Sequence, residues 1–394
     1  MKEKYADLIL ENCLNISSNQ PLLISGPIEV YDFIRIIVAK AYARGVRDIY
    51  IDYSDEVLKQ LQLKNFTLEE LEESPFWNKK IFDEYAKKNA AFLMLGAYEE
   101  TTDIDNKKLE HVAKITRTSR PLFKEKQLNN EIVWSIVSVA TKTWADKMFP
   151  NEKDNVEKLW NTIYKMCLVD QENPIAAWKE KINITESRAT HMNEKQYKYL
   201  YFKNSLGTDL TIELPKDHIW ASGATKVDDK IVIENMPTEE IFTAPYKYGA
   251  NGIVYNSKPL VYNGVLIDKF MIRFEQGKVV DFKAKEGYDA LKSIIEFDDT
   301  SNMLGEIALV NYNSLISNSG LIFYETLYDE NASCHMALGS AYLECISNKE
   351  EVFKQINQSN NHVDFMFGTS DLEIIGIKDD DTEEIIMQNG NFIN

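Results

Sequence analysis

The sequence predicts an α/β amino-terminal domain with a mostly parallel sheet, followed by an α+β carboxy-terminal domain. Three observations predict this. The first 140 or so residues alternate short apolar runs with helical periodicity. Beyond about residue 190 strands and glycine-marked turns take over. The chain has 394 residues, whereas single cores stop growing at about 250–300. One boundary near residue 190 is therefore expected, giving domains 1–190 and 191–394.

In the first domain, Pro21 to Ser25 is a short apolar run closed by Gly26 and Pro27. Val30 to Arg44 then carries Phe33, Ile36, Ile37, Ala41 and Tyr42 at helical spacing up to Gly45. Asp48 to Tyr53 alternates like a strand, which completes a βαβ unit and implies a parallel sheet with a right-handed crossover. Ala91 to Leu95 and Trp134 to Ala140 add strands. The first turn, Ser25-Gly26-Pro27, matches neither G-x-G-x-x-G nor G-K-[ST], which argues against a nucleotide site.

Asn155 to Gln196 reads as helical, with Trp160, Ile163, Met166 and Leu168 on one side and a break at Pro174. Tyr197 to Phe202 and Thr208 to Leu214 form a hairpin around Ser205-Leu206-Gly207. Further strands are expected at Lys230 to Ile233, Leu266 to Phe274, Lys278 to Lys283 and Asp371 to Ile377.

Composition excludes several classes. Hydrophobic residues make up 44% and aromatics 11%, ample for packed cores. With 62 acidic against 44 basic residues, the net charge of -18 repels phosphate backbones, so no nucleic-acid partner is expected. No stretch is apolar enough for a membrane span, and Met1 to Leu14 reads as an amphipathic helix rather than a signal peptide. Cys13, Cys167, Cys334 and Cys345 show no CxxC pairing, and a reducing, cytoplasmic location is expected.

The residues able to do chemistry cluster late in the chain. If His362 to Met366 is a strand, His362 and Asp364 share a face and make a two-point grip for a divalent ion or a structural hydrogen bond. His335 and Tyr342 are seven residues apart, about two helical turns, which would put both on one face of a helix starting near Asn331 or Ala332. Glu306 interrupts the apolar run Met303 to Val310, so its carboxylate is buried or lines a pocket, and a buried carboxylate either neutralises or meets a cation. Glu239 and Glu240 lie between Pro237 and Pro245, where a cap, a rim salt bridge or a metal would each explain them. As a set, these carboxylates and imidazoles suit a two-metal hydrolase.

Four ordered segments, NMPTEEIFTAP (235–245), LGEIALV (304–310), YDENASCHMALGSAY (328–342) and HVDFMFG (362–368), resemble the aminopeptidase T/aminopeptidase S family of metallopeptidases. The hairpin strand at Gly207 to Leu214 and the βαβ start at Pro21 are also similar to that family, so the likeness covers most of the chain. The resemblance implies that Glu240, Glu306, His335, Tyr342, His362 and Asp364 hold or serve two divalent metal ions (Zn, Co, Mn or Mg), all in the carboxy-terminal domain. Glu240 is preferred to Glu239 because the family's spacing to the LGE glutamate suits it.

The resemblance further implies a homodimer that releases single residues from peptides with a free N-terminus. Glu306 would bridge the ions. Tyr342 would ligate a metal or donate to the developing oxyanion. Glu239 or Glu330 would serve as general base, ammonium partner or structural ion pair. A metal-dependent hydrolase of a non-peptide amide and a non-catalytic small-ligand-binding protein are the competing expectations.

Overall fold

The computed structural model describes residues 1–72, 76–99, 105–348 and 352–393. Two compact units are formed, Met1–Lys181 with Ala224–Pro237, and Ile182–Gly223 with Thr238–Asn394. The sequence placed a single crossing near residue 190, whereas the chain crosses after Lys181, returns at Ala224 and leaves again after Pro237. Hydrogen bonding is the physical reason for the return. Asn235–Met236 pairs in parallel with Trp134–Ser138, and the Ile136 N–H donates to Glu234 O at 2.7 Å. Lys230–Ile233, expected in the second half, forms a hairpin with Ala224–Val227 in the first unit.

The first unit holds an all-parallel five-stranded sheet in the order Asn235–Met236, Trp134–Ser138, Ala91–Gly96, Leu22–Pro27, Ile49–Ser54. The first βαβ crossover uses the helix Tyr31–Ala43, which buries Phe33, Ile34, Ile37 and Ala41, a stripe at helical spacing. Tyr42, expected on that stripe, is instead 48% exposed. Parallel strands covered on both faces need near-continuous apolar sequence, and Leu22, Leu23, Ile24, Ala91, Phe92 and Leu93 are all fully buried.

The second unit is built from two largely antiparallel sheets. The smaller runs in the order His362–Met366, His335–Gly339, Leu304–Leu309, Ile241–Thr243, Ala221–Ser222. The larger has nine strands and includes the predicted hairpin Tyr199–Lys203 with Asp209–Glu213. One core joins them, with Leu200, Phe202, Leu210 and Ile374 from the large sheet meeting Ile307, Met336, Leu338 and Phe365 from the small one. Side chains on the other face of the small sheet point away from this core.

One local expectation is corrected. His335 to Gly339 is a strand, not the start of a helix carrying Tyr342 on the same face. Its backbone groups are taken by ladders on both sides, to Leu304–Leu309 and to His362–Met366. Met336 and Leu338 alternate into the core while His335, Ala337 and Gly339 face the other way. The seven-residue spacing to Tyr342 is therefore not a helical repeat. All four cysteines are free and buried, and no helix among the described residues is long and apolar enough to cross a membrane.

Candidate metal centre

The outward face of the small sheet collects the acidic and imidazole side chains row by row. Glu306 lies opposite Ala337, and Ala337 lies opposite Asp364, so one row crosses three strands. His335 sits two residues before Ala337 and His362 two before Asp364, and period-two alternation puts both on the same face. Glu240 immediately precedes the strand Ile241–Thr243, whose Ile241 joins the core, so Glu240 projects to the same side.

Glu306 reaches this face through an irregularity. The ladder shifts register between Leu304 and Glu306, so that Leu304 opposite Leu338 enters the core while Glu306 faces the ligand side. Without a bulge, residues two apart would share a face. Gly305 sits at the shift, where an added Cβ would lie 2.3 Å from Ser340 O and 2.6 Å from Gly339 O. Gly339 is equally constrained, with φ at +109° and Asn361 O at 2.2 Å from an added Cβ.

Three overlapping groups result, each with its donor atoms within 4.8 Å of one another: Glu240, Glu306 and His335; Glu306, His362 and Asp364; Glu330, His335 and Asp364. His335 Nε2 is 3.0 Å from Glu240 Oε2 and 3.8 Å from Glu306 Oε1. His362 Nε2 is 3.3 Å from Glu306 Oε2 and 3.4 Å from Asp364 Oδ1. The two oxygens of Glu306 thus address different imidazoles.

Carbonyl groups set the histidine tautomers. The Nδ1 of His335 lies 3.0 Å from Glu330 O, and that of His362 lies 2.7 Å from Ser340 O. An Nδ1–H donated to a carbonyl leaves the Nε2 lone pair facing the carboxylates, the arrangement of a metal-ligating histidine.

The electrostatics call for cations. Burial first, and then the charge of Asp364, pushes Glu306 upward against the opposing pull of His362. Glu330 is held well above the usual carboxylate range by burial and by Asp364, Glu240 and Glu306. Burial alone would lower His335, but Glu240 beside it and the charges of Asp364 and Glu306 raise it to about 9. Burial alone would raise Asp364, and the two imidazoles outweigh it and hold Asp364 low.

No lysine or arginine stands among the strongest charges on Glu306 or Glu330. Glu240 Oε2 is buried without a well-aligned hydrogen-bond donor, although His335 Nε2 is near it. Four carboxylates and two imidazoles in one largely buried cluster fit divalent cations and are costly without them.

Tyr342 reaches the cluster from the turn after the strand. Its ring lies 5.0 Å from that of His362 and 5.7 Å from that of Phe242. The side chain is 40% exposed, yet burial of its hydroxyl end and the charges of Glu306 and Asp364 keep the phenol protonated well above its ordinary range. Glu239 stands outside the three groups. Its charge acts on Arg188, and its N–H donates to Asn331 Oδ1 at 2.7 Å.

Sequence reasoning named Glu330 as a candidate base, and the fold brings it to ligand distance of His335 and Asp364. It did not single out Asn331, which is fully buried and clamps the Glu239 backbone to the Leu327 carbonyl, tying the residue before Glu240 to the turn that carries Glu330. The DEN run was visible, but only tertiary contact gives Asn331 this role. His218 is buried with Nδ1 2.9 Å from Pro215 O, and His111 lies 3.5 Å from Glu72; both stand apart from the cluster.

Comparison with known proteins agrees with this chemistry. Residues 1–392 match the family described as thermophilic metalloprotease (M29). Aminopeptidase AmpS of Bacillus subtilis (strain 168) is 38% identical over 98% of this chain and 97% of its own length. Aminopeptidase T of Thermus thermophilus is 32% identical over 99% of this chain and 98% of its own. The solved structure of wild-type AmpT from Thermus thermophilus superposes with a TM-score of 0.94 at 31% identity, covering 100% of this chain and 99% of that one.

Proposed function

Since the chain belongs to the thermophilic metalloprotease (M29) family, we infer that it acts as its aminopeptidase relatives do. It is a metal-dependent aminopeptidase, which hydrolyses the first peptide bond of peptides with a free N-terminus and releases the amino-terminal residue. Glu240, Glu306, His335, His362 and Asp364 would hold two divalent ions, with Tyr342 as a further ligand or hydroxyl donor. The observation that carries this reading is the orientation of Glu306, whose Oε1 is 3.8 Å from one imidazole and whose Oε2 is 3.3 Å from the other.

Divalent ions held there would supply Lewis acidity for the scissile carbonyl and for a water molecule near neutral pH. The chain's own residues do the rest. Glu306 would serve both groups of donors, and its burial keeps both oxygens committed to the site rather than to solvent. Glu330 accepts the proton released from the attacking water, since it shares the group of His335 and Asp364. Glu239, beside Glu240, orients the ammonium end of the substrate or steadies Arg188. The Tyr342 hydroxyl, kept protonated by the surrounding carboxylates, donates to the developing oxyanion.

An excess of carboxylates draws in the free α-ammonium, which an N-acylated peptide lacks. Oxygen and nitrogen donors suit Zn, Co, Mn or Mg. The reading includes a homodimer in the cytoplasm, where four buried free thiols stay reduced.

Metal content and hydrolysis of an unblocked and an N-acetylated aminoacyl substrate, before and after chelation and metal readdition, test the proposal. Two ions per chain and chelator-sensitive activity confined to the unblocked substrate are expected. Equal activity on both would indicate a hydrolase of other amides, and no metal and no turnover would indicate a binding protein.

A further inference from the structure

A cavity of about 570 Å³ in the unit that carries the candidate metal centre lies between the helix residues Arg188, His191 and Lys195 and the apolar walls of Ile385, Ile386 and Phe392. The chain carries a net charge of -18, yet this cavity is locally cationic. The one carboxylate that lines it among the described residues, Glu384, is already taken: Lys195 Nζ and the Tyr197 hydroxyl each donate to Oε2 at 2.7 Å, and Lys378 holds Oε1. Those three donors pull Glu384 down to about 2, so it stays charged and fully engaged.

Arg188 is different. Its guanidinium is half-buried, stacks over the Phe392 ring at 4.7 Å, and forms no hydrogen bond or ion pair within 4 Å among the described residues. The charge that acts on it is that of Glu239, next in sequence to the proposed ligand Glu240. An arginine stays charged when buried, and its planar fork matches a carboxylate. A cavity of this size with one cationic fork and apolar walls suits a small ligand of the same pattern.

We propose that this cavity is a binding site for a carboxylate carried on an apolar residue, with Arg188 gripping the carboxylate and Ile385, Ile386 and Phe392 receiving the side chain. The ligand is an apolar amino-acid carboxylate, either the carboxyl end of a short peptide substrate or a separate molecule. The first source rests on the aminopeptidase reading above; the second does not.

The test has two arms on the metal-loaded enzyme. The first compares kcat/KM for Leu-Phe, Leu-Gly-Phe and Leu-Gly-Gly-Phe with their carboxamides. The second measures N-acetyl-leucine against N-acetyl-leucinamide by calorimetry. Both use wild type, Arg188→Met and Ile385→Glu, the last because Ile385 is 43% exposed and tolerates a charge that repels the ligand. Loss of a charged hydrogen bond should cost about tenfold or more in affinity.

If the peptide end occupies the cavity, at least one peptide length favours the acid about tenfold over the amide, and both variants lose that preference. If a separate carboxylate occupies it, peptides show no preference, while N-acetyl-leucine binds wild type and about tenfold more weakly to both variants. An acid preference absent from the peptides, together with N-acetyl-leucine binding that is undetectable or unchanged in the variants, overturns the proposal. Inactivity toward every unblocked peptide defeats the aminopeptidase reading instead, and leaves the calorimetric arm to decide the cavity.

Discussion

Glu306 and Asp364 face one another across Ala337, each in register with it from a neighbouring strand. The methyl group between them is the smallest side chain that keeps the strand's alternation, and it leaves the space over the sheet to the carboxylates. Ala337→Val should fill that space while the strand, whose ladders are backbone bonds, still forms. Second-layer changes around metal ligands cost about 10–100-fold, so activity and metal affinity should each fall by about that much. Overpacking should destabilise by about 1–3 kcal/mol. Unchanged metal affinity in a folded variant would mean that the ions do not sit over this row.

Glu306→Gln removes the carboxylate charge shared between two donor groups. Metal content measured by mass spectrometry should drop by at least one ion per chain, and kcat/KM should fall by more than about 100-fold, beyond the cost of a second-layer change. Near-normal turnover with intact circular dichroism would sink the bridging role.

Metal loading should release protons. His335 is raised to about 9 by Glu240, so the metal-free imidazole is protonated at neutral pH and must lose that proton before Nε2 can ligate. Apparent metal affinity should therefore rise as pH increases toward 9. Calorimetry in two buffers of different ionisation enthalpy reads the number of protons directly, and none released near neutral pH would contradict the ligand assignment.

Glu384 supplies a pH test away from the candidate metal centre. Its folded-state value is depressed to about 2 from 4.5, so its stabilising contribution is present above about 4.5 and is lost as pH falls through 2. Glu384→Gln should lower Tm at neutral pH by about 1–3 °C. The difference from wild type should narrow below pH 4.5 and close near pH 2. A deficit independent of pH would assign the effect to packing rather than charge.

Much of the architecture was legible in the sequence because its signals are local. The βαβ start needs only an apolar run, a helical stripe and a second run, and Leu22–Pro27, Tyr31–Ala43 and Ile49–Ser54 follow from residues within one window. The face shared by His362 and Asp364 likewise follows from strand periodicity alone. The burial of Glu306 could be read from the apolar residues around it.

Tertiary structure decided the rest. His335 reads as helical until two neighbouring strands claim its backbone, because the ladder partners lie about 30 residues away on either side. Asn235–Met236 returns to the first unit because an open sheet edge at Trp134–Ser138 is satisfied there, which no local pattern announces. Glu306 and Leu304 part to opposite faces only because the ladder slips at Gly305, against carbonyls of Gly339 and Ser340. The sequence by itself determined which residue types were present and which segments alternate. Long-range backbone pairing decided which of them meet, since side-chain direction on a strand depends on register and register is set by the partner.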